Sequence, residues 1–411
     1  MLTAPFASFD TREVFMPLVN MRDMLKHAYE NGYAVGGFDL VSLDFLEAIL
    51  DAAEAQHSPV ILSLAESHFE YYDFKLAMAA AELAAQRASV PVAIHLDHGA
   101  SYESAVAAIN TGCNGVMVDA SQQGFDGNVA LTRKVVEMAH GCGVPVEGEL
   151  GYVAGVEGED AEKHPGEVIY TSVDEASAYV AQTGVDFLAV SIGTVHGRMK
   201  GEPQLDIERL GEINRALRIP LVIHGGTGLS DEQFRFLIDN GVAKINYYTA
   251  LADAAGARMR GNVAADAGSG YTGIVRGIRD AIRAEVERCM VNWGSAGQGG
   301  KVLEAAEAWR PVHHVIIYNA EGDEARVREM MQEGERVLST IPGVRRVITG
   351  TAEKQDAVYR YSWLIEFVHR DVIDTYREHP DHVAFADKLF RPIAGDRISI
   401  DYRQNRFAVG G

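Results

Sequence analysis

From residue 34 to about residue 290, short runs rich in Val, Ile and Leu alternate with longer segments whose apolar residues recur every three or four positions. Eight runs stand out: AVGGFD (34–39), PVILSLA (59–65), VPVAIHLD (90–97), GVMVDA (115–120), PVEGELG (145–151), FLAVSIG (187–193), PLVIHGG (220–226) and AKINYYT (243–249). Between them lie amphipathic stretches such as LDFLEAILDAAEAQ, YESAVAAINTG and DEQFRFLIDNG, with Gly or Asn near their ends, the pattern of helices with C-caps. Strands buried on both faces read as unbroken apolar runs, and eight βα units over roughly 250 residues is the size of a (β/α)8 TIM barrel. A doubly wound open sheet is the competing architecture. Polar or ionisable residues close almost every run, as one ring of functional groups around a barrel mouth requires.

After a last helical pattern, YTGIVRGIRDAIRAEVERCM, comes GSAGQGGK, read as a flexible boundary. Residues 311–405 then read strand, helix, strand, strand, helices, strand, a ferredoxin-like α+β order. The expected organisation is an N-terminal arm (1–15), a barrel (16–293), a linker (294–310), the α+β domain (311–405) and a tail (406–411). A four-stranded sheet with helices on one face leaves its other face needing cover, so a homodimer or higher homo-oligomer is expected.

Composition narrows the function. The formal charge of −21 repels nucleic acid and anionic membrane, and no apolar stretch reaches the roughly 20 residues of a membrane span. The start of the chain lacks a secretory signal. Cys113, Cys142 and Cys289 are scattered without CxxC spacing, which speaks against a disulfide framework and a thiolate zinc site and for the reducing cytoplasm.

The strand-end residues carry the chemistry: Asp39, Asp97 with His98, Asp119, Glu149, His196, His224 and Asn246. Three are histidines, the ligand count of an open catalytic zinc site. Asp97 beside His98 can serve as a proton-transfer carboxylate, while His95 is read as a packing or orienting residue. Glycines follow His196 and His224, as Gly197 and as Gly225-Gly226-Thr227-Gly228. They admit close backbone approach to a ligand, in the loops where barrels commonly seat phosphate. Lys200 offers a cation for an anionic substrate. In the acidic stretch AGVEGEDAEKHPGEV (154–168), read as an irregular mouth loop, Glu157 and Glu159 are candidate bases.

These residues resemble the class II, zinc-dependent ketose-bisphosphate aldolases, of the fructose- and tagatose-bisphosphate branch, from MPLVNM at Met16 to WGSAG near Gly297. The motifs are YAVGGF, IHLDHG, VMVDAS, VEGELG, GTVHG, KGEPQLD, IHGGTGLS and KINYYT, in family order. The resemblance implies reversible cleavage of a phosphorylated ketose, to dihydroxyacetone phosphate and an aldehyde. It makes His98, His196 and His224 the Zn2+ ligands, Asp97 the acid/base and Glu157 the loop glutamate that moves the carbon-bound proton. It gives Asp119 and Glu149 to a possible second metal. Gly197, Gly225, Gly226, Thr227, Asn246, Tyr247, Tyr248 and Thr249 form the substrate site, with a monovalent cation, Na+ or K+, nearby. Asp39, where the family has Asn, joins the substrate residues. Together with Ala65, where Ser or Thr is common, and an altered loop pattern, it points to a non-standard sugar or sugar-acid phosphate. A non-catalytic sugar-phosphate-binding homologue and a chain whose tail binds the main ligand are the alternative functions. The C-terminal unit is similar to the stress-responsive dimeric A/B-barrel family, through VHHVIIYN, IPGVRRV, HPDHVAF and RISIDYR; its His313, His314, His379 and His382 are read as structural.

Overall fold

The computed structural model describes residues 17–161, 169–198 and 204–403; the N-terminal arm, the last residues and Lys200 lie outside them. In chain order its strands are β1 (Val35–Asp39), β2 (Val60–Ala65), β3 (Val92–Gly99), β4 (Gly115–Val118), β5 (Val146–Leu150), β6 (Gly155–Asp160), β7 (Phe187–Val190), β8 (His196–Arg198), β9 (Leu221–Ile223), β10 (Val242–Tyr247), β11 (Val312–Ala320), β12 (Val344–Thr351), β13 (Tyr361–Phe367) and β14 (Ala394–Arg403). The eight apolar runs become the parallel strands of a closed barrel, ordered β1-β10-β9-β7-β5-β4-β3-β2 and sealed by β1 pairing β2. Every residue of β1, β2, β5 and β10 is buried, so none of these strands has a side that faces solvent.

Several ladders stop before their runs do: β4 ends at Val118, β7 at Val190 and β9 at Ile223. The residues beyond, Asp119 and His224 among them, turn onto the carboxyl rim. Serine caps fix the helices that follow: the Ser101 hydroxyl accepts from the Ser104 amide at 3.0 Å, and Ser230 with Gln233 forms a capping box.

Two stretches differ from the sequence reading. Part of the acidic stretch is ordered as β6, paired parallel to β8. Gly155 has φ +101°, and a Cβ there would collide with the carbonyl of His196, so only glycine lets the chain lie against that histidine. The GSAGQGGK stretch is packed rather than flexible. The amides of Gly297 and Gly299 donate to the carbonyls of Gln56 and His57, both at 2.8 Å, and Ser58 Oγ donates to Ser295 Oγ at 2.8 Å.

The C-terminal domain has an antiparallel sheet ordered β12-β13-β11-β14, with helices Glu324–Leu338 and Val372–Glu378 on one face: a ferredoxin-like fold. It rests on the ends of barrel helices. The Asn110 Oδ1 accepts from the Gly343 amide at 2.7 Å, Thr375 Oγ1 donates to the Gly141 carbonyl at 3.1 Å, and Arg345 pairs with Glu82. Asn110 and Gly141 close helices that lead into the amino ends of β4 and β5, so this domain sits on the barrel face opposite the carboxyl rim.

Candidate metal centre and active site

Strand alternation assembles the interior. Side chains two apart on one strand point the same way, so His95 and Asp97 on β3, Glu147 and Glu149 on β5, and Lys244 and Asn246 on β10 all project into the barrel. All six are buried. His98 breaks the alternation: its φ of +47°, in the left-handed region that few side chains adopt, swings its ring to the rim beside Asp97.

There the rings of His98, His196 and His224 converge, with centroids 5.1 Å, 4.6 Å and 5.7 Å apart in pairs. One nitrogen of each lies within 4.8 Å of the others. Gly225 makes this approach possible, because a Cβ on it would strike the backbone of Val195, next to His196. Each of two rings is fixed by its far nitrogen. His98 Nδ1 bonds Asp119 Oδ2 at 2.9 Å, and His224 Nε2 bonds Glu147 Oε1 at 3.0 Å. The facing nitrogens, His98 Nε2, His196 Nε2 and His224 Nδ1, are buried with no hydrogen-bond partner among the described residues. Buried polar atoms are rarely left so; three aimed at one point fit a cation, and carboxylate-anchored imidazoles are how proteins orient metal ligands.

Electrostatics agree. Burial and the neighbouring rings push His196 down to about 3, and burial lowers His224, so both are neutral donors. Burial opposes a charge on His98, but Asp97, the Asp119 hydrogen bond and Glu149 outweigh it and drive its pKa well up. A centre this rich in carboxylate calls for positive charge, from a proton or from a metal ion. Deeper in the barrel, burial opposes ionisation of Glu147, yet Lys244 at 2.6 Å, His224 and His95 hold it down to about 2. Burial and Asp119 push Glu149 up to about 8.

Asp97 Oδ1 accepts from Asn246 Nδ2 at 2.8 Å, and its Oδ2 has no partner among the described residues. Burial disfavours its charge, but His98, His224 and Lys244 together keep its carboxyl well below the usual range. Asp39 and Ala65 lie alongside, since β1 pairs Asp39 with Ser63 and β2 pairs Ala65 with Asp97. Gly197 and Gly225 take positive φ, and Gly226 and Thr227 continue the loop. Thr249 opens the 17-residue helix Thr249–Ala265, its Oγ1 accepting from the Gly158 amide at 3.0 Å. Tyr248 packs on His68, ring centroids 4.5 Å apart.

His98, Asp119 and Glu149 also bring ligand atoms within 4.8 Å of one another. Asp119 Oδ2 is taken by His98, and its Oδ1 accepts from both the amide and the hydroxyl of Ser121, at 3.0 and 2.7 Å. Asp119 is therefore built as an anchor for His98. Tyr247, expected in the substrate site, is turned away. It is 3% exposed, stacks edge-on with Phe38 and Trp293 and donates to Glu285 Oε1 at 2.9 Å. Period-2 alternation explains this, because Asn246 faces inward and the next side chain must face the helices. The side chain of Glu157 and all of Lys200 lie outside the described residues. Sequence reasoning passed over Glu147, the residue that ties His224 to Lys244; its spacing of two from Glu149 on a barrel strand was the available signal.

The fold and site define a TIM-barrel protein with a three-histidine cluster on its carboxyl rim and a second, ferredoxin-like domain beneath. Comparison with known proteins gives the family. Residues 19–298 match the family "Fructose-bisphosphate aldolase class-II", and 312–404 match the "Stress responsive A/B Barrel Domain". A Bacillus subtilis (strain 168) protein named "Probable fructose-bisphosphate aldolase" is 48% identical over 237 residues, covering 57% of this chain and 82% of that one. A Staphylococcus aureus (strain Mu50) fructose-bisphosphate aldolase is 44% identical over the same shares. The crystal structure of the YdjI aldolase from Escherichia coli K12 aligns with TM-score 0.61 and 33% identity, over 69% of this chain and 99% of that one. The chain belongs to the class II fructose-bisphosphate aldolase family, with a stress-responsive A/B-barrel domain at its C-terminal end.

Proposed function

We propose that this chain is a zinc-dependent aldolase that reversibly cleaves a phosphorylated ketose, giving dihydroxyacetone phosphate and an aldehyde. The observation that carries this reading is the convergence of three unsatisfied imidazole nitrogens, His98 Nε2, His196 Nε2 and His224 Nδ1. Zinc held there would polarise the ketone oxygen and offset the charge that develops on it as the carbon bond breaks.

The chain's own residues do the rest. Asp97, ionised and with Oδ2 free, takes the proton from the hydroxyl beside the breaking bond and returns it in the synthetic direction. Asn246 holds the other oxygen so that Oδ2 faces the substrate. Gly225 to Thr227 and the N-terminus of the helix Thr249–Ala265 supply amide donors for the phosphate, with Lys200 adding positive charge. A sodium or potassium ion beside those glycine loops belongs to the same reading. Glu157 moves the carbon-bound proton, by the resemblance alone. Asp39 and Ala65 flank Asp97, so the change from the usual ketose contacts falls beside the acid/base, which favours a sugar or sugar-acid phosphate with a different hydroxyl pattern.

Aldol cleavage can also run through a Schiff base on a lysine; Lys244 is unsuited to that chemistry, being fully buried and bound to Glu147 at 2.6 Å. We further propose that a second copy covers the outer sheet face, where Ile348, Ile398, Ile400 and Tyr402 are 39–50% exposed, and that the protein works in the cytoplasm, its three cysteines free and buried. No helix among the described residues is long and apolar enough to cross a membrane.

The test is turnover on a panel of ketose phosphates, followed by mass spectrometry with and without chelator. Cleavage that stops on chelation and returns with zinc is expected. Cleavage that survives chelation, or its absence across the panel in zinc-loaded protein, would overturn the reading.

A further inference from the structure

We infer that the aldehyde half of the substrate is an uncharged polyol received between Asp39 and His68, so that this chain acts on a ketose 1-phosphate, unlike the bisphosphate in its relatives' names. The inference rests on the aldol reaction proposed above and concerns what lies beyond the breaking bond.

Strand order assigns the space. Around the barrel, β1 and β2 stand between β10 and β3. The amide donors for the phosphate follow β9 and β10, and Asp97, which handles the hydroxyl beside the breaking bond, lies at the end of β3. The part of the substrate past Asp97 therefore lies over β2 and β1.

Two side chains belong to that sector. Asp39 closes β1 and is fully buried. It points inward, because its neighbour Phe38 stacks on Trp293 in the helical layer and adjacent strand residues face opposite ways. His68 follows β2 in the 3-10 turn Glu66–His68. Glu66 pins that turn to the loop beyond His98, its carboxylate accepting from the Ala100 amide and the Ser104 hydroxyl, both at 2.8 Å. The His68 ring is 4% exposed and packs on Tyr248, two residues past the asparagine that holds Asp97. Burial lowers its pKa, and the charges of Asp97 and His98 act on it more strongly than that of Glu70, two residues away. A neutral imidazole offers one donor and one acceptor, and the Asp39 carboxylate adds acceptors, a set that suits hydroxyl groups. No apolar run ends on His68, so the sequence pattern left it unmarked.

The same sector offers a second phosphate no seat. Residues 39–42 after β1, 65–73 after β2, 97–101 at the end of β3 and 246–248 at the end of β10 hold five carboxylates, Asp39, Glu66, Glu70, Asp73 and Asp97, and no lysine or arginine. Lys75, in the first turn of the helix Phe74–Arg87, is exposed. Arg198, beyond His196, is tied to Asp253 and Asp160. A phosphorylated aldehyde would meet Asp39 and Asp97 without a counter-charge, and such repulsion selects the neutral compound.

The experiment runs the zinc-loaded full chain in the synthetic direction, with dihydroxyacetone phosphate and matched aldehydes: glyceraldehyde against glyceraldehyde 3-phosphate, erythrose against erythrose 4-phosphate, and propanal as the control without hydroxyls. Products are read by mass spectrometry. Each neutral polyol should exceed its phosphate by roughly 100-fold in kcat/KM, the effect of bringing like charges together. Asp39→Asn, which lifts one of the two charges, should shrink that ratio roughly tenfold. His68→Ala should raise KM for glyceraldehyde by roughly three- to tenfold with little change for propanal, and His68→Gln should recover part of the loss. Deuterium exchange into dihydroxyacetone phosphate, which needs no aldehyde, reports the zinc-dependent half of the reaction separately. Its absence would sink the aldolase reading and this inference with it. Exchange accompanied by turnover of the phosphorylated aldehydes at or above the rate of their neutral partners, or by equal losses for glyceraldehyde and propanal in His68→Ala, would overturn this inference alone.

Discussion

The barrel rim and the C-terminal sheet are incomplete in opposite senses. At the rim, polar atoms are buried without partners: three imidazole nitrogens and Asp97 Oδ2. On the outer face of the sheet, apolar side chains stand in water: Ile398, Ile400 and Tyr402. A buried polar group without a partner costs about 1–3 kcal/mol, and an exposed isoleucine forgoes about 1.5–3 kcal/mol of burial. Each deficit names the chemistry that removes it, a cation and a substrate in one case and an apolar surface in the other. The fold keeps the two apart, because the C-terminal domain grips the amino-end face of the barrel through Asn110, Gly141 and Glu82.

This contrast can be broken at either end. The largest effect is expected at Asp97. Asp97→Asn keeps the shape and the Asn246 contact region but removes the proton acceptor, so kcat should fall by roughly 10²–10⁴-fold with zinc content unchanged, measured by steady-state kinetics and elemental analysis. A variant that also loses zinc would make Asp97 part of the metal's support instead. Next comes the sheet. Ile400→Lys places a charge in the surface that a second copy would cover, and a two-fold contact counts it twice, so self-association should weaken roughly 100-fold or more in sedimentation, with turnover per chain preserved. An oligomer indifferent to Ile400→Lys would move the interface elsewhere. The smallest effect is expected at Glu147, whose carboxylate is held by His224 Nε2 and Lys244 Nζ. Glu147→Gln weakens the tether on His224 and should lower zinc affinity by about 10–100-fold, seen as easier loss to a chelator, while zinc-saturated kcat stays near wild type.

Much of this was legible in the sequence, and for identifiable reasons. The eight barrel strands were visible because strands buried on both faces show as apolar runs, and the rim residues because each run ended on a polar side chain. Other features were not. The left-handed turn at His98, the Asp119 and Glu147 tethers and the packing of GSAGQGGK against Gln56 and His57 depend on contacts between segments far apart in the chain. The Tyr247 side chain packs outward on Phe38 and Trp293 although the motif Asn246 to Thr249 groups it with its neighbours, because a strand sends adjacent side chains to opposite faces. The same period, applied to VEGEL, marks Glu147 as an interior residue alongside Glu149.

The most direct test of the central claim is anomalous scattering at the zinc edge from crystals of protein shown to cleave a ketose phosphate. The account predicts a single strong peak bonded to His98 Nε2, His196 Nε2 and His224 Nδ1. Active crystals in which those three nitrogens bind no metal would contradict it.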